Sequence, residues 1–147
     1  MTNLARSVDE FYYHMALYEL RMMNGADFFN GLSYNSLLYL NVIWMTEECT
    51  VSKIADTLGV TKPAVTLKIN ELVRTEAIAK TRSERDRRVY YIRLSPRMEA
   101  LFSNYDRVFD RIELALKSQY AEEQLTLFEE ILRTISGIEW SKDSHEQ

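Results

Sequence analysis

Glycine, proline and cysteine are scarce in this chain, which has four, two and one of them in 147 residues. So little turn-forming material argues against an all-β fold with many tight turns and favours long helices joined by few connections. The single cysteine, Cys49, excludes an intramolecular disulfide, and no apolar run approaches the roughly 18 residues of a membrane span. We therefore expect a cytoplasmic protein that does not interact with membranes.

Signatures of catalysis and of metal binding are also missing. The sequence has no Gly-rich phosphate loop, no G-x-S-x-G and no C-x-x-C. Two histidines, His14 and His145, together with Cys49 do not supply the three or four donors of a zinc site at a compatible spacing. We expect neither enzymatic activity nor a metal or other cofactor, with oxidation sensing through Cys49 as a minor alternative.

Charge is distributed unevenly along the chain. The net charge is −4, yet residues 50–97 hold eleven Lys and Arg against five Asp and Glu, and the remaining residues hold seven against seventeen. Five arginines lie within residues 81–95, namely Arg82, Arg85, Arg87, Arg88 and Arg93. A basic patch of this kind attracts a polyanion, and the alternative is a solvated charged face.

Apolar residues recur at helical spacing near both ends of the chain. The first row runs to about Asn24–Gly25, and a second long pattern follows the N-cap pair Ser95–Pro96. The rows are Leu4, Val8, Phe11, Met15, Tyr18 and Met22, then Leu101, Tyr105, Val108, Ile112, Ala115, Leu125, Phe128, Leu132 and Ile135. Such rows need a partner surface, which is either a second copy of the chain or the other terminal helices of the same chain.

The middle of the chain divides into short helical units. A helix that opens at residues 32–35 is apolar nearly all round and is expected to be central. Thr50 is a cap for a helix over residues 51–58, and Gly59 stands where a left-handed residue ends it. Thr61 caps the next helix, whose buried row is Val65, Ile69 and Leu72. Two short helices joined by a tight turn indicate a helix-turn-helix, with an ordinary helical hairpin as the alternative.

A β-hairpin follows these helices. Residues 78–82 and 89–94 are rich in β-forming side chains and flank a polar tip at residues 83–88. Alternation in the second strand places Tyr90, Ile92 and Leu94 against the helices. A helix-turn-helix with a hairpin is a winged helix, and an arginine-rich wing can lie along the DNA backbone or enter a narrow minor groove.

These segments resemble the MarR family of bacterial transcription regulators over nearly the whole chain. The most specific stretch is "DRRVYYIRLS", which is similar to the wing signature of that family at Asp86, Arg88, Ile92, Leu94 and Ser95. The resemblance implies a mainly α fold with a small β wing, in which a winged helix-turn-helix sits inside a helical dimerisation scaffold. It also implies that residues 33–95 bind DNA, that residues 1–32 and 96–147 form a homodimer, and that the dimer binds a pseudo-palindromic site.

The expected DNA contacts lie on both helices and on the wing. They are Thr50, Ser52, Thr61, Lys62, Ala64, Thr66, Leu67, Lys68, Arg82, Arg85, Arg87 and Arg88. Lys62 and Lys68 are expected to contact phosphate or guanine, and Arg88 is expected to enter the minor groove with Asp86 orienting it. Many members of the family have Arg at the position of Leu67, where this chain offers apolar contact with a thymine methyl group instead.

The predicted function is sequence-specific binding of double-stranded DNA by a transcriptional repressor. The resemblance suggests a pocket for a small aromatic or lipophilic effector, lined by Tyr12, Tyr13, Tyr39, Trp44 and Met45, although these residues are also typical of an ordinary core. The rival function is a winged helix whose arginines bind an acidic protein partner.

Overall fold

The computed structural model describes residues 1–25 and 32–138; residues 26–31 and 139–147 of the predicted dimerisation segments lie outside the described residues. The described part contains six helices and one two-stranded sheet, in agreement with the predicted fold class. In chain order the elements are α1 (Asn3–Gly25), α2 (Tyr34–Met45), α3 (Val51–Leu58), α4 (Lys62–Arg74), β1 (Ile78–Arg82), β2 (Tyr90–Leu94), α5 (Pro96–Gln119) and α6 (Glu122–Ser136). None of the described helices has the length and hydropathy needed to cross a bilayer.

Side-chain caps define where the central helices begin. The hydroxyl groups of Ser33, Thr50 and Thr61 accept hydrogen bonds from backbone N–H groups three residues later, at 3.1, 3.3 and 3.4 Å. Each bond satisfies one of the donors that a helix leaves free at its first turn. Gly59 ends α3 with φ of 64°, in the left-handed region. The helix boundaries predicted around residues 50–61 are therefore confirmed.

The chain divides into two compact units, residues 1–99 and residues 100–147. In the first unit, α2, α3, α4 and the hairpin pack around one core. Its fully buried side chains include Leu40, Ile54, Val65, Ile69, Leu72 and Met98. The predicted buried row of α4 is thus part of this core, and the opposite side of α4 faces outward.

The two strands form an antiparallel pair in which Ile78 lies opposite Leu94 and Arg82 lies opposite Tyr90. Ile92 and Leu94 are buried as predicted, but Tyr90 is 45% exposed, so the apolar row ends one position earlier than expected. Tyr90 lies near the outer end of the hairpin, where the guanidinium of Arg82 stands 5.3 Å from the centre of its ring. The outer end of the wing is therefore held by a cation–π contact rather than by the core.

The second unit contains α6 and most of α5. No residue of α6 is buried, and its row of large apolar side chains is exposed at Leu127, Phe128, Ile131 and Leu132. A groove of about 400 Å³ between α5 and α6 is lined by Leu116, Tyr120, Gln124, Leu125, Leu127, Phe128 and Ile131. In the first unit, the predicted row of α1 is likewise exposed at Leu4 and Phe11.

Replacement of Gly59 by alanine tests the strain at the turn between α3 and α4. A Cβ atom at this position would meet no atom within 4 Å, so the cost comes from the left-handed backbone alone. We expect Gly59→Ala to lower the free energy of unfolding by about 1–2 kcal/mol, as measured by urea denaturation at fixed protein concentration.

The matched control is Gly137→Ala. Gly137 has φ of −85°, and an added Cβ there would make only ordinary contacts at 3.6 Å. This change should leave the stability nearly unchanged or raise it slightly, because alanine restricts the unfolded chain. If both variants lowered the free energy of unfolding by the same amount, the left-handed backbone at Gly59 would not be the cause of the loss.

Candidate nucleic-acid interface

The outward side of α4 carries most of the residues predicted to read DNA. Thr61, Lys62, Ala64, Thr66 and Leu67 are all exposed, in the cap and the first two turns of the helix. Leu67 is 72% exposed although its side chain is apolar. The hydroxyl of Thr66 donates to the carbonyl oxygen of Lys62 at 3.0 Å, which leaves its methyl group free for outside contact.

Lys68 differs from the expectation of an exposed cation. Its side chain is only 12% exposed, and its ammonium group lies 3.0 and 3.2 Å from the two carboxylate oxygens of Glu71. Position 68 follows Val65 by three residues and precedes Leu72 by four, so helical periodicity places it beside the buried row. Lys68 is therefore paired next to the core rather than presented on the outward side of α4.

The start of α3 offers hydroxyl groups and backbone donors. Thr50 is half-buried and accepts from the backbone N–H of Lys53, while Ser52 is exposed. The ammonium of Lys53 donates to the carbonyl oxygen of Glu47 at 2.9 Å. A hydroxyl group that accepts one bond still has its own hydrogen to donate, so Thr50 and Ser52 can both bind a phosphate oxygen.

The wing holds Arg88 in a two-point contact with Asp86. The Nε and Nη2 atoms of Arg88 donate to the Oδ1 and Oδ2 atoms of Asp86 at 3.1 and 3.2 Å, and the backbone N–H of Arg88 donates to Oδ1 at 3.0 Å. These bonds lower the pKa of the Asp86 carboxyl, the side-chain bonds most and the backbone bond next. The Arg88 side chain remains 91% exposed, so its guanidinium is oriented and still accessible, as expected for an arginine that Asp86 positions.

Ser83 orders the inner part of the wing tip, a role that the sequence reasoning missed. The sequence places Ser83 in the polar tip of the hairpin, and the residue is only 5% exposed. Its hydroxyl oxygen accepts from the backbone N–H groups of Arg85 and Asp86 at 3.2 and 3.3 Å. Serine bonds of this kind to the following residues are typical of turns, and this pattern is the signal that would have identified Ser83.

Other cations of the wing differ in whether their side chains have a partner among the described residues. Arg85 and Arg87 are exposed, and neither forms an ion pair within the ranges 1–25 and 32–138. Lys80, which the site prediction did not include, donates to the Oδ1 atom of Asn70 at 3.0 Å and so links β1 to α4. At the wing tip, Arg85 and Arg87 are therefore without an ion pair among the described residues and Arg88 is oriented by Asp86, while Lys80 connects the hairpin to α4.

The residues predicted to line an effector pocket differ in their exposure within the part of the chain that the structure describes. Tyr39 is buried in the core, whereas Tyr12, Tyr13 and Met45 are exposed. Trp44 lines a cleft of about 400 Å³ together with residues of the loop after α2 and of β2. A common pocket would require additional surface to cover the exposed side chains.

Cys49 lies against the same cleft but is buried. Burial raises the pKa of its thiol, and the nearby charge of Lys53 lowers it by a smaller amount. The thiol is therefore protonated at neutral pH, which disfavours reaction with an oxidant because the thiolate is the nucleophile.

The segment that contains the helix pair and most of the wing, residues 32–90, matches the MarR family. The chain carries a MarR family domain. This match confirms the resemblance inferred from the wing signature and the helix pair. No curated protein matches the chain in sequence.

Solved structures of similar fold extend the likeness beyond this MarR family domain. Streptococcus pneumoniae FabT in complex with DNA has a TM-score of 0.72 and 22% identity over 90% of this chain and 92% of its own. AdcR from Streptococcus pyogenes has a TM-score of 0.60 and 18% identity over 92% and 97%. A point mutant of S. aureus MepR bound to an oligodeoxyribonucleotide has a TM-score of 0.57 and 20% identity over 92% and 96%. These likenesses establish the fold.

The contact between Arg88 and Asp86 predicts a change in carboxyl titration. Because the bonds from Arg88 lower the pKa of Asp86 in the folded protein, Arg88→Ala should return it toward the ordinary carboxyl value. The pairing is fully present above the ordinary pKa and is lost as the pH falls through the lowered one. The chemical shift of the Asp86 carboxyl carbon, followed by NMR across acidic pH, gives its pKa in the wild type and in Arg88→Ala.

The control variant for this titration is Arg87→Ala, which removes an exposed arginine one residue away that does not bond to Asp86. The pKa of Asp86 should change little in that variant. An Asp86 pKa that is insensitive to Arg88→Ala, or equally sensitive to both changes, would mean that the two-point contact does not persist in solution.

Proposed function

We propose that the chain is a sequence-specific, double-stranded DNA-binding transcription regulator that represses transcription by binding a pseudo-palindromic operator as a homodimer. The observation that carries this proposal is the combination of an outward-facing α4 with a wing whose Arg88 is exposed and oriented by Asp86. The solved complexes of FabT and MepR with DNA have the same fold and support this function by likeness.

In this mechanism, α4 enters the major groove and the wing reaches the adjacent minor groove. Thr50, Ser52 and Thr61 stand at the starts of α3 and α4, where hydroxyl and backbone N–H groups position the protein on phosphates. Arg88 uses Nε and Nη2 to bind Asp86, so its remaining terminal nitrogen, Nη1, donates to the groove. A narrow minor groove concentrates negative potential and so favours an arginine that is already oriented.

The homodimer is proposed because two helices expose apolar rows that the described part of the chain does not cover. These rows include Leu4 and Phe11 on α1 and Phe128 and Ile131 on α6. Contiguous exposed apolar surface of this kind marks an interaction site. A twofold dimer places two copies of α4 in successive major grooves, which requires a pseudo-palindromic operator.

Release by a small aromatic or lipophilic effector belongs to the same proposal, as does action in the cytoplasm. Tyr12, Tyr13 and Met45 are exposed, so a pocket that contains them would be completed by the second copy. Effector binding would then change operator affinity through the dimer arrangement rather than through α4 directly.

DNA binding is tested with duplexes selected by the full-length protein from a random library. The affinity should fall steeply as salt rises, with about −0.9 in log–log slope for each phosphate neutralised. Arg88→Ala should weaken operator binding about tenfold or more, since a hydrogen bond to a charged group contributes roughly 1.5–3 kcal/mol. Fluorescence anisotropy titrations at two salt concentrations measure both effects.

The control for this substitution is Arg133→Ala, which removes the same charge from the polar side of α6, where Arg133 pairs with Glu129. It should leave operator affinity unchanged, and neither variant should change the unfolding curve appreciably. If no duplex is retained at low salt, DNA binding is excluded, and an acidic protein partner becomes the better explanation of the arginine wing.

Dimerisation is tested by Ile131→Glu on the exposed apolar row of α6. Burying a carboxylate in a dimer interface is costly, so the dimer dissociation constant should rise at least about tenfold. Analytical ultracentrifugation measures it, and Arg133→Ala, which changes the net charge by the same amount, should remain dimeric. A wild-type chain that is monomeric at micromolar concentration would contradict the proposed assembly.

A further inference from the structure

We infer that Leu67 reads thymine methyl groups, so that the base pairs facing the first two turns of α4 in the operator are mainly A·T. This inference rests on the proposed DNA binding and names the class of sequence that the same site recognises. It is carried by the exposure of Leu67 and by the small number of polar side chains near it that could form two-point hydrogen bonds with bases.

Leu67 stands at the centre of the outward side of α4. Its neighbours Val65 and Ile69, two residues away on either side, are fully buried, and Leu67 itself is 72% exposed. In an α-helix, positions two apart lie on nearly opposite sides, so Leu67 is directed away from the core. The only apolar group at the edge of a base pair in the major groove is the 5-methyl group of thymine.

Apart from Lys62 and Lys68, the first two turns of α4 have none of the side chains that form two-point hydrogen bonds with bases. Residues 61–68 read TKPAVTLK, with no Arg, Asn, Gln, Asp or Glu. Guanine is usually recognised by Arg or Lys and adenine by Asn or Gln. Of the two lysines here, Lys68 is paired with Glu71 and mostly buried, which leaves Lys62 at the helix start. Ala64 and Thr66 add methyl groups to the same exposed surface.

Polar residues farther along α4 form hydrogen bonds within the protein. The Oδ1 atom of Asn70 accepts from Lys80, and the Nε atom of Arg74 donates to the backbone oxygen of Asn70. Recognition helices contact bases mainly through their N-terminal residues, so these positions lie beyond the main reading region. The chemistry that α4 offers in the groove is therefore dominated by methyl and isobutyl groups.

The experiment replaces each thymine of the selected operator, one at a time, by uracil, which lacks only the 5-methyl group. At one or two positions in each half-site, uracil should lower the affinity of the wild-type protein about threefold to fivefold, as expected for one buried methyl group. Thymines beneath the wing should tolerate uracil, because the methyl group lies in the major groove. Anisotropy titrations at fixed salt give the affinity ratios.

Two substitutions at Leu67 separate methyl recognition from general packing. Leu67→Asn retains the approximate shape but replaces the two methyl groups by an amide, and Leu67→Met retains an apolar side chain. The uracil penalty should disappear in Leu67→Asn and persist in Leu67→Met. Because each penalty is a ratio measured within one variant, a modest change in stability or in overall affinity does not affect it.

Three outcomes decide between the claims. Failure to select any duplex would overturn the proposed function itself. Selection of an operator that is insensitive to uracil at every position would leave DNA binding intact and overturn methyl recognition. An equal uracil penalty in the wild type and in Leu67→Asn would assign the methyl contact to another residue and so overturn the role of Leu67.

Discussion

The direction of α4 depends on how α3 and α4 cross, and the proposed DNA contacts depend on that direction. Gly59 adopts φ of 64° and ends α3, and the Thr61 hydroxyl begins α4 two residues later. Ala55, a small residue of α3, is buried in this unit together with Ile54 and Val65. With these side chains inward, the remaining sides of α4 have to face solvent, and one of them carries Leu67.

The wing has little core of its own, so polar bonds determine its shape. The hydroxyl oxygen of Ser83 accepts hydrogen bonds from two backbone N–H groups. The backbone N–H of Ser83 donates to the carbonyl oxygen of Val89 at 2.9 Å. Asp86 then orients Arg88, while the Arg82 guanidinium lies over Tyr90. An arginine on an unrestrained loop would lose side-chain entropy on binding, and these bonds reduce that loss.

Local interactions explain why the sequence alone predicted most of the fold. The caps at Ser33, Thr50 and Thr61 join atoms three residues apart, and the left-handed residue at Gly59 reflects its own backbone freedom. Hydrophobic period distinguished helix from strand, so the bounds of the two hairpin strands were also predicted to within one residue. The MarR resemblance followed from the same residues, since Asp86 and Arg88 are two positions apart on the wing.

What the sequence determined by itself was therefore the order, type and ends of the elements, because bonds within a few residues control them. Only the tertiary structure decided which polar groups remain available, because burial depends on residues that are distant along the chain. Lys68 has the same charge as Lys62, but the packing of α4 places it beside the core and next to Glu71. Tyr90 is exposed because the hairpin contacts the helices mainly at its inner end, whereas Ser83 is buried within the turn whose backbone N–H groups bind its hydroxyl.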